Sequence, residues 1–196
     1  MIKEFKTTYV VSGYMRTGTS MMMKALEAGG LEAAINPDRD KMNQQFGDSN
    51  YKPNVGGFYE LNRSEYQQYG FPRMYEGKLL KCLWGGVAKV VVGDYRIVFM
   101  MRNPEEIRQS YEAFFDGRVP PSLEKYEDIM KDTIDMLENR KDTRVLIIQY
   151  RNVINNPRKE FQKIKDFGFP IDIERAISVV DPTLCRFKLE DLTVGI

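Results

Sequence analysis

The chain has 196 residues and a mass of 22.8 kDa, which predicts one domain over residues 1–196 with room for a hydrophobic core. With 29 Lys and Arg against 28 Asp and Glu, the formal charge is +1, so any basic binding site has to be local. The absence of histidine excludes Ser-His-Asp catalysis, histidine-ligated zinc and an imidazole general base. Because no run of 18 apolar residues occurs, we expect a cytoplasmic protein without a membrane span.

Short apolar runs alternate with longer amphipathic segments along the chain. The apolar runs predict strands over residues 7–12, 78–83, 96–101 and 144–150. The amphipathic segments predict helices over residues 20–28, 104–115, 122–141, 157–167 and 173–180. Strands separated by helices of this length pair in parallel, so we predict an α/β three-layer sandwich with a central parallel sheet. Ligands of such sheets bind beyond the carboxyl ends of the strands, and functional residues are expected there.

The most specific motif follows the first predicted strand and reads Gly13-Tyr14-Met15-Arg16-Thr17-Gly18-Thr19-Ser20. Two glycines with four residues between them, followed by two hydroxyl side chains, have the spacing of a phosphate-binding P-loop. Glycines let successive backbone N–H groups converge on an oxyanion, and the N-terminus of the next helix adds partial positive charge. The sequence therefore predicts an anion site over residues 13–20.

The chain lacks two features that a magnesium-dependent kinase needs, one within this motif and one after the later strands. Thr19 stands where such kinases carry lysine. The strongest later strands are followed by Arg102 and Arg151, rather than by an acid that would help to hold magnesium. The motif therefore favours a phosphate-containing ligand bound without a metal, and an ATP-dependent small-molecule kinase stays open as the alternative.

A second basic motif begins at the end of the third predicted strand, where Arg102 is followed eight residues later by Ser110. The carboxyl ends of parallel strands share one rim of the sheet, so Arg102 is expected on the same rim as the P-loop. A planar guanidinium and a hydroxyl group suit a terminal phosphate monoester.

Together, the two motifs resemble the phosphosulfate loop and the 3′-phosphate site of sulfotransferases that use 3′-phosphoadenosine-5′-phosphosulfate (PAPS). That family has a P-loop NTPase-like α/β fold, a loop of the form P-[RK]-[ST]-G-T-[ST], and an arginine followed eight residues later by serine. In this chain Met15 replaces the proline. Further segments resemble bacterial-type members in the family's order: residues 56–60, 150–153 with Pro157, and 180–184.

The resemblance implies PAPS as the co-substrate, its bisphosphate (PAP) as the product, and no metal. It implies that Arg16 contacts the sulfate and stabilises the charge that builds on the departing phosphate, while the rest of the P-loop holds the 5′-phosphate. Arg102 and Ser110 would hold the 3′-phosphate. Arg186 and Lys188 either close over that phosphate, as basic residues do in many relatives, or form a solvated basic pair.

Transfer to a hydroxyl or an amine requires a proton acceptor, and without histidine we expect a carboxylate to serve. Glu60 is the best candidate because it follows a polar segment, residues 36–54, that we expect to be a mobile loop where an acceptor could enter. An alternative interpretation makes Glu60 the N-terminal carboxylate of a helix. Lys81 could orient the base or the sulfate, or be solvated at the edge of its strand. Asp94 and Asp116 are weaker candidates.

Three functions follow from these motifs. The leading one is a metal-independent sulfotransferase, and the others are an ATP-dependent kinase and a non-catalytic protein that binds the nucleotide. We expect the acceptor to be a small molecule or a glycan rather than a nucleic acid, since the sequence has no dense stripe of Lys and Arg.

Overall fold

The computed structural model describes residues 5–38, 57–61 and 74–186. Most of the polar segment predicted as a loop, residues 39–54, lies outside the described residues, and so does Lys188.

A parallel sheet forms the centre of the described structure, with the strand order β2-β1-β3-β4. Its strands are β1 (Thr8–Gly13), β2 (Leu79–Lys81), β3 (Tyr95–Met101) and β4 (Thr143–Gln149). Val11 pairs with Lys81 and Gly13 with Met100, so the carboxyl ends of the first three strands lie at one rim. The predicted parallel sheet is confirmed, with β2 shorter than expected.

The helices of the described residues are α1 (Thr19–Ala28), α2 (Trp84–Val87), α3 (Pro104–Phe114), α4 (Tyr126–Glu138), α5 (Tyr150–Asn155), α6 (Pro157–Asp166) and α7 (Ile173–Ile177). Side-chain caps mark the start of three of them, including α7, where Asp172 accepts from the Arg175 N–H. Asn103 caps α3 and Asn156 caps α6, and each cap is followed by proline at the first helical position. No helix within these ranges is long and apolar enough to cross a bilayer.

Helices cover both faces of the sheet, because successive residues of each strand point to opposite sides. On β1, Val11 packs with Val98 against α1, α5 and α6. Its neighbour Val10 packs with Ile97 against α3 and α4. The predicted three-layer α/β sandwich is therefore confirmed.

The predicted helix over residues 122–141 is shorter than expected. Ser122 has φ 59° and Lys125 has φ −108°, so the chain makes a 3-10 turn over Leu123–Lys125 before α4 begins. The four-residue helix α2 was not predicted, since a segment with two glycines carries no helical periodicity.

Arg140 and Asp142 join two segments at the amino-terminal rim of the sheet. The Arg140 Nε donates to Asp142 Oδ1 at 2.9 Å, and its Nη1 donates to the Val90 carbonyl at 2.9 Å. The Gly93 N–H donates to Asp142 Oδ2 at 3.0 Å. Burial alone would raise the pKa of Asp142, but the hydrogen bonds from Arg140 and Gly93 outweigh it and lower that pKa.

We expect Asp142→Asn to reduce the free energy of unfolding at pH 7 by about 1–3 kcal/mol, because hydrogen bonds to a charged group are lost. A carboxyl whose pKa is lower in the folded state contributes its full stabilisation above the unfolded value, here 3.8, and loses it as the pH falls through the folded value. The difference between wild type and variant, measured by urea unfolding, should therefore shrink below pH 3.8. Asp132→Asn, on the exposed side of α4, is the control. A difference that stays constant down to pH 2 would contradict this assignment.

Candidate active site

The predicted P-loop, residues 13–20, curls between β1 and α1 around two glycines with positive φ. Gly13 has φ 142° and Gly18 has φ 92°. A Cβ at Gly13 would lie 2.5 Å from the Met100 carbonyl oxygen, and a Cβ at Gly18 would run into the ring of Tyr150. Both glycines are therefore required by their neighbours as well as by the backbone conformation.

The loop delivers backbone N–H groups to the rim of the sheet. Within α1 the Met22 N–H donates to the Gly18 carbonyl at 3.0 Å, so the N–H groups of Thr19, Ser20 and Met21 precede the intrahelical bonds. The N-terminus of α1 carries partial positive charge at the same place. This arrangement suits an anion such as a phosphate.

Side chains in the first half of the loop fix its shape from within. Tyr14 is fully buried in the core on the α4 side of the sheet, and its hydroxyl donates to the Pro121 carbonyl. Burial raises the pKa of Tyr14 to about 12. Met15 packs against the same core, and the Thr17 hydroxyl donates to the Tyr14 carbonyl at 2.7 Å. Because these side chains are engaged in shaping the loop, Tyr14 and Thr17 would contact a ligand through their backbone atoms.

Arg16, the cation of the loop, lies against α3. Its Nε donates to Ser110 Oγ at 3.2 Å, and its guanidinium carbon lies 5.0 Å from the centroid of the Phe114 ring. Sequence reasoning paired Ser110 with Arg102, whereas the structure places the hydroxyl on Arg16. Arg16, which was predicted to contact the sulfate, and Ser110, which was predicted to bind the 3′-phosphate, are thus neighbours.

Arg102 is a buried guanidinium that connects the loop to two other elements. It is 8% exposed, and its Nη1 donates to the Arg16 carbonyl at 3.1 Å. Its Nε donates to Glu106 Oε2 at 2.9 Å, and its guanidinium carbon lies 4.2 Å from the centroid of the Tyr150 ring. The predicted position of Arg102 beside the P-loop is what the structure has.

Glu106 is a functional candidate that sequence reasoning missed. Glu105 and Glu106 both lie in the first turn of α3, where carboxylates suit the helix dipole, and Glu105 does sit at the surface with Arg108. Glu106, however, is 1% exposed and accepts hydrogen bonds from both Arg102 and Arg151. Two guanidiniums share one carboxylate, so this cluster keeps a net positive charge beside the predicted phosphate site.

Lys81, at the carboxyl end of β2, lies on the other side of the loop. It is 4% exposed, so the interpretation of a solvated lysine at the edge of the strand is wrong. Its Nζ donates to Ser20 Oγ at 3.1 Å and to the Phe58 carbonyl at 2.6 Å, and lies 3.5 Å from Glu60 Oε1. The amine therefore joins the end of the P-loop to the predicted base.

Glu60 extends the sheet beyond β2 through an isolated parallel bridge to Lys81, and its side chain is 20% exposed. The residues that would form a helix after Leu61 lie outside the described ranges. Asp94 is at the opposite rim, where it accepts a hydrogen bond from the Thr7 hydroxyl, and Asp116 is exposed beyond the end of α3. Of the carboxylates considered as bases, Glu60 is the one that the structure puts beside the loop.

The described chain ends at Arg186, just after Cys185, which packs on the Tyr150 side of the site. Cys185 is buried in the same core as Tyr150. Burial raises the pKa of the Tyr150 hydroxyl, and the Cys185 contact adds to the effect. Arg186 follows at the surface, and its contact with a phosphate stays a prediction.

Among the described residues, Cys, Asp and Glu do not gather in groups of three or more that could hold a metal ion. The P-loop itself carries Arg16, and Lys81 and Arg102 flank it from the ends of β2 and β3. The chemistry of the donor set is that of an anion site.

The fold is similar to that of solved sulfotransferase domains. The sulfotransferase domain of the olefin synthase of Synechococcus PCC 7002 aligns over 95% of this chain and 84% of its own, with a TM-score of 0.50 and 16% identity. The sulfotransferase domain from the curacin biosynthetic pathway aligns over 91% and 79%, with a TM-score of 0.50 and 10% identity. An unliganded sugar kinase from Janibacter sp. HTCC2649 aligns over 90% and 99%, with a TM-score of 0.43 and 14% identity.

No family model matches the chain, and no curated protein matches it. At identities of 10% and 16%, the likeness to the two sulfotransferase domains establishes the fold. The activity has to be argued from the site.

Glu106→Ala leaves two guanidiniums without their shared carboxylate, and we expect it to reduce the free energy of unfolding by about 3–5 kcal/mol. Glu105→Ala removes a solvent-exposed partner of Arg108 and should cost far less, because exposed ion pairs contribute little. Urea unfolding of the two neighbouring variants at pH 7 measures the contrast. Equal losses would show that the buried cluster does not stabilise α3 in the way described.

Proposed function

We propose that the chain is a sulfotransferase that moves a sulfuryl group from PAPS to a hydroxyl or an amine of a small molecule or a glycan. The observation that carries the proposal is Lys81, a buried amine that contacts both the last residue of the P-loop, Ser20, and the carboxylate of Glu60. A cation between an anion-binding loop and a proton acceptor suits sulfuryl transfer, in which negative charge builds on the donor while the acceptor loses a proton.

The residues at the rim fit the two ends of such a nucleotide. The glycine cradle and the free N–H groups of α1 suit the 5′-phosphate. Arg102 and Arg151, which share Glu106, supply a net positive charge for the 3′-phosphate, and Ser110 adds a hydroxyl. When bound, PAPS would supply the activated sulfuryl group.

The chain's own residues then have separate roles. Arg16 donates hydrogen bonds where negative charge builds on the departing phosphate, and a preorganised donor of this kind contributes roughly 10²–10³ in rate. Glu60 Oε1 takes the proton from the acceptor. Lys81 holds Glu60 in place and offsets the negative charge of the transferred group.

We expect PAP to bind the wild-type protein and to raise its melting temperature more than ATP with magnesium does. Arg16→Ala and Arg102→Lys each remove charged hydrogen bonds of about 1.5–3 kcal/mol, so each should weaken PAP binding by about 10- to 100-fold in titration calorimetry. Arg144→Ala, at an exposed position of β4, is the control. Stabilisation by ATP and magnesium alone would point to the kinase alternative and remove the proposal.

Glu60→Gln should abolish most transfer from labelled PAPS, with a loss of about 10²–10⁴ in rate, because the amide cannot accept the proton. Its affinity for PAP should stay within about twofold of wild type, since Glu60 faces the acceptor. Glu32→Gln, which changes an exposed carboxylate paired with Lys78, is the matched control. Full turnover in the Glu60 variant would eliminate Glu60 as the base. A wild type that binds PAP and transfers sulfate to no acceptor would be the non-catalytic binder.

A further inference from the structure

Residues 57–61, which carry the proposed base, lie beside the end of the P-loop in an unusual backbone conformation. Tyr59 has φ 58°, in the left-handed region that bulky side chains rarely occupy. Gly57 also has a positive φ, of 109°, so the chain turns on both sides of Phe58. Such a conformation persists only where the surrounding contacts determine it, and it is concentrated at functional sites. The contacts that hold Tyr59 therefore bear on the position of Glu60.

The side chain of Tyr59 anchors this segment to α1. Tyr59 is 7% exposed and belongs to the core cluster that contains Met23 and Leu26 of that helix. Its hydroxyl donates to Glu27 Oε2, also on α1, at 2.9 Å. Because α1 begins within the P-loop, this anchor ties the segment to the helix that starts at the proposed phosphate site.

Main-chain contacts hold the residues on either side of Tyr59. The Phe58 carbonyl accepts from Lys81 Nζ at 2.6 Å. The Glu60 carbonyl accepts from the Asn36 N–H at 3.1 Å, and Glu60 forms its isolated bridge with Lys81. Tyr59 thus adds a side-chain anchor between two main-chain attachments, and together these contacts over-determine its left-handed backbone.

We propose, on the basis of the function proposed above, that Tyr59 is a positioning residue for the base. Its buried ring and its hydrogen bond to Glu27 keep residues 57–61 where Glu60 Oε1 lies 3.5 Å from Lys81 Nζ. Tyr59 acts through Glu60 and takes no part in the transfer itself. Misplacement of a reacting group by about 1 Å can cost about 10²-fold in rate, so the anchor controls turnover.

A purely structural role would have a different signature, and Tyr95 provides the comparison. Tyr95 is 1% exposed, and its hydroxyl donates to the Val91 carbonyl at 3.0 Å. It begins β3, at the rim of the sheet opposite the P-loop. Tyr95→Phe therefore removes a comparable hydrogen bond far from the site and should leave turnover unchanged. Tyr59→Phe removes the matching hydroxyl beside the base.

Turnover is measured as transfer from labelled PAPS to N-acetylglucosamine, hexanol, hexylamine and 4-nitrophenol, and the variants are compared on the acceptor that wild type uses best. Tyr59→Phe should lower kcat by about three- to tenfold, because one hydrogen bond of the anchor is lost. Tyr59→Gly keeps the left-handed backbone accessible but removes the anchor, and it should lower kcat by about 10²-fold. The KM for PAPS should stay within about twofold, since neither change alters a residue of the P-loop.

Combination with Glu60→Gln separates positioning from stability. A residue that acts through Glu60 has nothing left to position once that carboxylate is an amide. Tyr59→Gly should therefore lower the rate of the Glu60→Gln protein by less than about twofold. An independent readout is the solvent exchange of the Lys81 ammonium protons, followed by nitrogen NMR. This exchange should be at least about tenfold faster in Tyr59→Gly than in wild type and unchanged in Tyr95→Phe.

Each outcome supports or overturns the assignment. If the Tyr59 variants keep wild-type kcat while Glu60→Gln loses it, or if Lys81 exchange does not change, Tyr59 is not a positioning residue and the sulfotransferase stands. If Tyr59→Gly causes the same fold-loss with and without Glu60, its role is structural alone. Circular dichroism checks folding, and Tyr59→Phe decides in the same cycle if Tyr59→Gly does not fold. If Glu60→Gln keeps full turnover, or wild type sulfates none of the four acceptors, the proposal falls together with the catalytic role of Glu60.

Discussion

The buried guanidinium of Arg102 is the contact on which the rest of the site depends. It joins the P-loop through the Arg16 carbonyl, α3 through Glu106, and the start of α5 through the Tyr150 ring. A cation taken out of water is costly unless carboxylate and carbonyl partners replace its hydration, so these three elements have to fold together. Gly18 also lies against the Tyr150 ring, so the same ring constrains both the shape of the loop and the position of Arg102.

The order of the strands places positively charged side chains on both sides of the P-loop. Because β1 lies between β2 and β3, residues just beyond the two neighbouring strands reach the loop from opposite sides. Lys81 comes from one side and Arg102 from the other, while Arg16 lies within the loop itself. A chain with a formal charge of +1 thus concentrates cations at one rim without being basic overall.

Short sequence patterns predicted the structural features that depend only on residues close together in the chain. The strands, the P-loop spacing and the asparagine-proline start of α3 depend on a few neighbouring residues, and all of them could be predicted from the sequence. The roles of Lys81 and Glu106 could not, because the burial of a charged side chain depends on partners distant in sequence. Ser110 shows the same limit, since its spacing from Arg102 is local but its contact with Arg16 is tertiary.

Lys81 links the donor side of the site to the acceptor side. Through Ser20 it touches the loop, and through the Phe58 carbonyl and Glu60 it holds the segment that carries the base and one aromatic ring. An anion bound at the loop would compete for the Lys81 ammonium. Its binding should therefore weaken the contacts of Lys81 with the Phe58 carbonyl and with Glu60.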